Sequence, residues 1–234
     1  MSERNTIPYD EDYFERGVAL GVSGYMNYTW MPEQTMRMAH HLIRELKIGP
    51  DETVLDYGCA KGYFVRALRL LDIPAYGVDI SPYAIESAPK DVARFCALID
   101  DTDGIAALKD SFDWVISKDV FEHIPEVALQ QVLVGLQRYT KRLFLAIPLG
   151  KSDEKDTFVI PAYHQDVTHI TIQPMEWWSA LFETCGWTIT WSGYQFRGMK
   201  ENWTKSWAEG NGFFVLTRSD GAHQDQARSA PREG

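Results

Sequence analysis

From about residue 33 to residue 218, short apolar runs alternate with stretches whose apolar positions recur at helical spacing. The runs Val54-Leu55-Asp56, Ala75 to Asp79, Ala93 to Ile99, Phe112 to Ser117 and Lys141 to Ile147 read as strands, the last ending at Pro148. Between them lie helices. Pro32 suits a first helical turn, and Ala39, Leu42, Ile43 and Leu46 form one stripe that Gly49-Pro50-Asp51 stops. Residues 61–71 and Ser81 to Ala88 read as helices, with Ser81 as a cap. Residues 125–138 put Leu129, Val132, Leu133 and Leu136 on one face. A helix from Pro174 carries Trp178, Leu181, Phe182 and Cys185 and stops at Gly186. Such alternation predicts an α/β fold of parallel strands with helices on both faces.

The ends and one interior stretch break the pattern. Residues 1–32 are polar with interleaved Tyr9, Tyr13, Phe14, Tyr25, Tyr28 and Trp30, an arm that packs on something. Residues 151–173 are polar and predict a long loop, functional or disordered. Two further β-like runs, Trp187 to Trp191 and Gly212 to Thr217, flank an insertion containing Lys200, Trp203, Lys205 and Trp207. Residues 219–234 hold no large apolar side chain and are expected to be disordered. The expected division is an arm (1–32), a single domain (33–218) and a tail (219–234).

Composition narrows the function classes. The 234 residues are 45% hydrophobic and 13% aromatic, enough for one sizeable core. A net charge of −10 disfavours tracking of nucleic-acid phosphates. No apolar run approaches the ~20 residues that span a bilayer. Met1-Ser2-Glu3-Arg4-Asn5 leads into no apolar segment, so no secretory signal is expected. Cys59, Cys96 and Cys185 stand far apart without CxxC spacing, which suits a reducing cytoplasm and argues against a zinc or disulfide framework.

The chemistry concentrates in Val54-Leu55-Asp56-Tyr57-Gly58-Cys59-Ala60-Lys61-Gly62, a strand ending in an acid, a glycine-marked turn and a helix start. Asp79 closes the next strand. A nicotinamide fingerprint would need a glycine at position 63, where Tyr63 stands, and no GxxxxGK[ST] phosphate loop occurs. The run resembles motif I of the class I S-adenosylmethionine-dependent methyltransferases, with glycine positions occupied by Gly58, Ala60 and Gly62. Phe112-Asp113-Trp114-Val115 through Glu122-His123-Ile124-Pro125 is similar to that family's fourth strand and the segment after it.

The resemblance covers roughly residues 33–218 and implies a doubly wound, mostly parallel seven-strand sheet completed by a C-terminal antiparallel hairpin. It also implies S-adenosylmethionine as cofactor. Asp56 would balance the ammonium, while Gly58, Cys59, Ala60 and Gly62 form the loop. Ala60 replaces a usual glycine, and its Cβ is tolerated where φ is negative. Asp79 would take the ribose hydroxyls, beside Ile80. Ile99 and Asp100 would lie near the adenine, and Lys118 on the methionine-side wall.

The acceptor side is expected in the loop Tyr163-His164-Gln165-Asp166-Val167-Thr168-His169. His169, or His164, is a candidate base with Asp166 orienting it, and His123 is a further candidate. Each of these histidines could equally brace structure. A Mg²⁺ variant would join Asp166 and His169 to a carboxylate such as Asp119, but no tight ligand pattern appears and no metal is assigned. Lys61, Lys118 and Lys151 are expected to be exposed. Tyr25, Tyr28, Trp30 and Tyr163 are candidate acceptor contacts, because rings paired with polar groups suit sugars. The absence of [DNS]-P-P-[YFW] and of a Pro-Cys pair argues against nucleic-acid methylation. The expected reaction is O-methylation of a small polar molecule such as a sugar or glycan precursor. N-methylation of an amino sugar or small amine, or a non-catalytic cofactor-binding subunit, are the alternatives.

Overall fold

The computed structural model describes residues 9–219. The tail expected at 219–234 therefore lies outside the described residues except for Ser219, whose amide bonds Gly186 O at 3.1 Å.

Seven strands make one sheet in the order β3-β2-β1-β4-β5-β7-β6. They are β1 (Val54–Tyr57), β2 (Ala75–Asp79), β3 (Cys96–Leu98), β4 (Trp114–Lys118), β5 (Arg142–Pro148), β6 (Trp187–Gly193) and β7 (Asn211–Arg218). The first five pair in parallel. β7 runs antiparallel to β5, with Leu145 opposite Phe214, and β6 antiparallel to β7. This is the doubly wound sheet with a terminal hairpin implied by the sequence. β1, wholly buried, has to be apolar on both faces because helices cover both.

One face is covered by α3 (Pro32–Glu45) and α4 (Tyr63–Leu70), which bury Ala39, Leu42, Val65 and Leu68 against Val54, Ile116 and Phe144. The other carries α6 (Glu126–Leu136) and α7 (Met175–Thr184), which bury Leu129, Leu133, Trp178 and Phe182 against Val115, Leu145 and Phe214. Each such side chain contributes about 1.5–3 kcal/mol of burial. The apolar helical stripes read from the sequence are these faces. The short α5 (Pro82–Glu86) starts at Ser81, whose hydroxyl accepts from Ala84 N at 3.0 Å.

One expectation is corrected and two are filled in. The run 93–99 is a 3₁₀ turn (Ala93–Phe95) followed by a three-residue strand. The polar loop 151–173 buries Phe158, Ile160 and Thr171 and contains a 3₁₀ turn, Pro161–Gln165. The insertion before β7 forms α8 (Glu201–Ser206).

The arm folds back as α1 (Glu11–Glu15) and α2 (Gly17–Leu20). Tyr13 and Phe14 build a small aromatic core with Tyr25, Tyr28, Tyr83 and Ala84, so the arm is packed on the domain.

Candidate functional site

A cleft opens at the carboxyl ends of β1, β2 and β4, where the strand order reverses on either side of β1. Ligands of doubly wound sheets bind at such a switch point. Gly58 (φ +84°) forms its floor, where a Cβ would come within 2.3 Å of the Val120 side chain. At Gly62 (φ +70°) a Cβ would lie 2.7 Å from Cys96 Sγ, so this glycine lets the helix start press on β3. Ala60 has φ +47°, against the negative φ expected of it. Its amide donates to Asp79 Oδ2 at 2.7 Å, and Gly62 N closes the turn onto Cys59 O at 2.8 Å. These bonds hold a conformation that costs an L-residue roughly 1–2 kcal/mol.

Asp79 lines the cleft with Val78, Ile80 and Ile99. Its other oxygen accepts from Ser81 N at 2.8 Å. Burial raises its pKa, opposed by the amides of Ser81, Ala60 and Ile80. Each oxygen keeps a lone pair for a further donor. Ile80 is 55% exposed, an apolar side chain left uncovered beside the cleft. Asp56 lies behind the loop, and burial pushes it up to about 7 despite Lys118 nearby. Cys59 is buried beneath the loop, and Asp100 is exposed and does not line the cleft.

Tyr9, Tyr13, Phe14 and Tyr25 of the arm close the cleft. Among the expected acceptor contacts, Tyr25 is there, whereas Tyr28 stacks on Tyr63 at 5.4 Å and Trp30 carries the Arg66 guanidinium at 5.2 Å. Lys61 corrects its expectation. It is buried, donates to Glu15 and to Tyr28 O (3.0 Å), and lies 5.4 Å from the Tyr83 ring centre. Lys118 pairs with Asp119, and Lys151 with Glu154 at 2.7 Å.

Beyond Asp119, Val120 and His123 on the cleft wall, the loop 163–169 folds into a polar chamber. Asp166 is buried and accepts from Tyr13 Oη at 2.7 Å, Thr168 N at 3.0 Å and Thr168 Oγ1 at 2.5 Å. His123 Nδ1 is 2.8 Å from Thr168 Oγ1. Because that hydroxyl gives its proton to Asp166, Nδ1–H of His123 must donate, which leaves Nε2 bare. His169 Nδ1 lies 2.7 Å from Tyr163 O, a pure acceptor, so its Nε2 is bare as well. The two rings are 4.6 Å apart. Burial, then His169, lowers His123 to about 4; burial lowers His169, opposed chiefly by Asp166. His164 is turned to another task, its Nε2 accepting from Phe158 N at 3.1 Å.

Residues assigned other roles in the sequence, or none, complete the chamber. Lys118 and Lys200 both donate to Asp119. Burial acts to raise Asp119, but the two ammonium groups outweigh it and hold the carboxyl well below the usual range. Lys200 also bonds Tyr163 Oη (2.9 Å) and Asn211 Oδ1 (2.8 Å). Ala60, Asp119 and Lys200 have positive φ. Glu122 is 0% exposed, and burial followed by Asp119 raises its pKa well above the carboxylate range. The E-H pair after β4 and the aromatic arm were the available signals for Glu122, Tyr9 and Tyr13.

The residues at the cleft fit a nucleoside bearing an amino-acid chain. An acceptor carboxylate ends β2, apolar Ile80 and Ile99 flank it, and no side chain caps the start of α4. Those free amides suit the ligand's carboxylate.

A family profile described as "Methyltransferase domain" matches residues 30–199. A 45-residue stretch is 44% identical to the ribosomal protein L11 methyltransferase of Paraburkholderia phytofirmans, spanning 19% of this chain and 15% of that protein. The fold is similar to the Haloferax volcanii methyltransferase solved with the Trm112 activator, with a TM-score of 0.60 at 18% identity over 80% and 92% of the two chains. It is similar also to magnesium protoporphyrin IX methyltransferase from Synechocystis with bound S-adenosylmethionine, with a TM-score of 0.52 at 17% identity over 80% and 79%. With the profile covering most of the domain and the cleft matched to S-adenosylmethionine, the chain belongs to the methyltransferase domain family.

Proposed function

We propose that the protein transfers a methyl group from S-adenosylmethionine to a hydroxyl of a small polar acceptor, a sugar or glycan precursor in particular. The observation that carries this reading is the bare Nε2 of His123 on the cleft wall, fixed by the chain His123–Thr168–Asp166. A hydroxyl acceptor has a proton to lose, and an unprotonated imidazole in reach is the group that takes it. The rings of Tyr9 and Tyr25 support a sugar, whose C–H faces pack on aromatic planes.

When bound, S-adenosylmethionine supplies the methyl group as an electrophile on a cationic sulfur. Asp79 and the loop from Gly58 to Gly62 orient the nucleoside, and the arm excludes water. His123 Nε2 takes the hydroxyl proton as the acceptor's O–C bond forms, when that proton is far more acidic than in the free alcohol. A base of pKa about 4 therefore suffices. The imidazolium formed shares its Nδ1 proton with Thr168, whose own proton points to Asp166, and Nε2 then returns its proton to water.

The test is transfer of labelled methyl from S-adenosylmethionine to a panel of sugars, amino sugars and amines. Methyl ethers are expected, with His123→Ala lowering turnover about 100-fold while cofactor affinity is retained. Methylation confined to amines overturns the hydroxyl reading.

A further inference from the structure

Glu122 presents a problem that methyl transfer does not solve. The side chain is fully buried, and neither oxygen has a hydrogen-bond partner on another of the described residues. Such a group costs about 1–3 kcal/mol or more to bury. His169 Nε2 faces it at 3.9 Å from Oε1. One ligand atom from each of Glu122, His123 and His169 lies within 4.8 Å of the other two.

Both imidazoles spend their proton at Nδ1, on Thr168 Oγ1 and Tyr163 O. Each therefore keeps Nε2 as a free lone pair, that of His169 at 3.9 Å from Glu122 Oε1. Once Glu122 gives up the proton that burial favours on it, the cluster is acceptors facing acceptors. A cation satisfies all three at once. Imidazoles held through Nδ1 by a hydroxyl or a carbonyl, with Nε2 left free, are also what metal-ligating histidines look like. We infer that Glu122, His123 and His169 form a binding site for a divalent transition metal of the zinc class.

Two imidazole nitrogens and one carboxylate oxygen favour zinc over magnesium or calcium, which prefer oxygen ligands throughout. Ligands about 2.1 Å from zinc stand about 3.4 Å apart at tetrahedral angles. The 3.9 Å pair has to close by about 0.5 Å, and any pair at the 4.8 Å limit by about 1.4 Å, for an ion to draw the three together. Asp166 Oδ2, also 3.9 Å from His169 Nε2, is held by Tyr13 and adds charge behind the site.

A bound zinc ion takes the lone pair that would accept the acceptor's proton, so it suppresses methyl transfer and leaves the cofactor contacts at Asp79 untouched. This effect on turnover rests on the proposed function above; the binding does not.

Calorimetric titration of chelator-stripped protein with zinc chloride tests the site. One zinc per chain is expected, with affinity falling at least 10-fold in Glu122→Gln and in His169→Ala, and weaker binding of magnesium chloride. S-adenosylhomocysteine binding by the same variants reports that they are folded. Zinc binding that is absent, or equal in the parent and both variants, overturns the site, the latter being an adventitious ion only. Magnesium as tight as zinc overturns the metal class. Zinc that raises turnover of an identified acceptor overturns the suppression. If zinc binds as expected and no hydroxyl is methylated, the proposed function fails and the site stands.

Discussion

Tyr13 donates its hydroxyl to Asp166 at 2.7 Å across 153 residues of sequence. The bond joins the arm to the loop that orients His123, so removing it should do more than loosen the arm. Tyr13→Phe is expected to cost about 1.5–3 kcal/mol, the range for a hydrogen bond to a charged group. Chemical denaturation reads the loss. If Asp166 acts only in holding the arm, the acid limb of the pH–rate profile stays where it is in the parent; if it also steadies the imidazolium, that limb moves.

Asp79→Ala should weaken S-adenosylhomocysteine binding by about 1–3 kcal/mol, because a charged acceptor leaves the cleft. Asp79 also braces Ala60 N and Ser81 N. Asp79→Asn keeps one of those two amide bonds and removes the charge, so it should fall between the parent and Asp79→Ala. Calorimetry that finds both variants at parent affinity would remove Asp79 from the cofactor site.

His123 makes stability depend on pH. Burial, then His169, lowers it from 6.5 to about 4. Between those values the unfolded chain binds the extra proton and the folded one does not. Its contribution is therefore complete above about pH 6.5 and is lost as pH falls toward 4, with a slope of at most about 1.4 kcal/mol per pH unit. Denaturation midpoints of the parent and His123→Gln across this window should diverge with rising pH. Parallel curves would mean that the imidazole is protonated in the fold.

Ala60→Gly should stabilise the protein on the order of 0.5 kcal/mol. Relief of a positive φ worth about 1–2 kcal/mol outweighs the extra freedom glycine gives the unfolded chain. Calorimetric melting checks this, and a lowered midpoint would mean that the methyl group's packing matters more than its strain.

The fold was legible because its signals are local. Apolar runs gave β1, β2, β4 and β5 to within two residues, and Gly58, Gly62 and Asp79 lie within a single strand-turn-helix-strand unit. Ala60 was misjudged because the bond forcing its φ comes from Asp79 on the next strand. Lys61 was expected in water because its partner, Glu15, is 46 residues away. The chamber was the least legible part. Thr168, Lys200 and Glu122 are ordinary residues in the sequence, and their chemistry appears only when the arm, the loop after β5 and the insertion before β7 converge. His164 and His169 are indistinguishable by spacing, yet one accepts a backbone amide and the other faces Glu122.

The Lys61–Glu15 pair has a consequence for traffic through the cleft. Lys61 belongs to the loop beneath a bound nucleoside, and Glu15 to the arm above it. Lifting the arm breaks this pair together with the bond to Tyr28 O. Since a buried pair is screened little by salt, ionic strength is expected to change the ease of that lifting only slightly, so the arm stays latched alike in dilute and in salty solution.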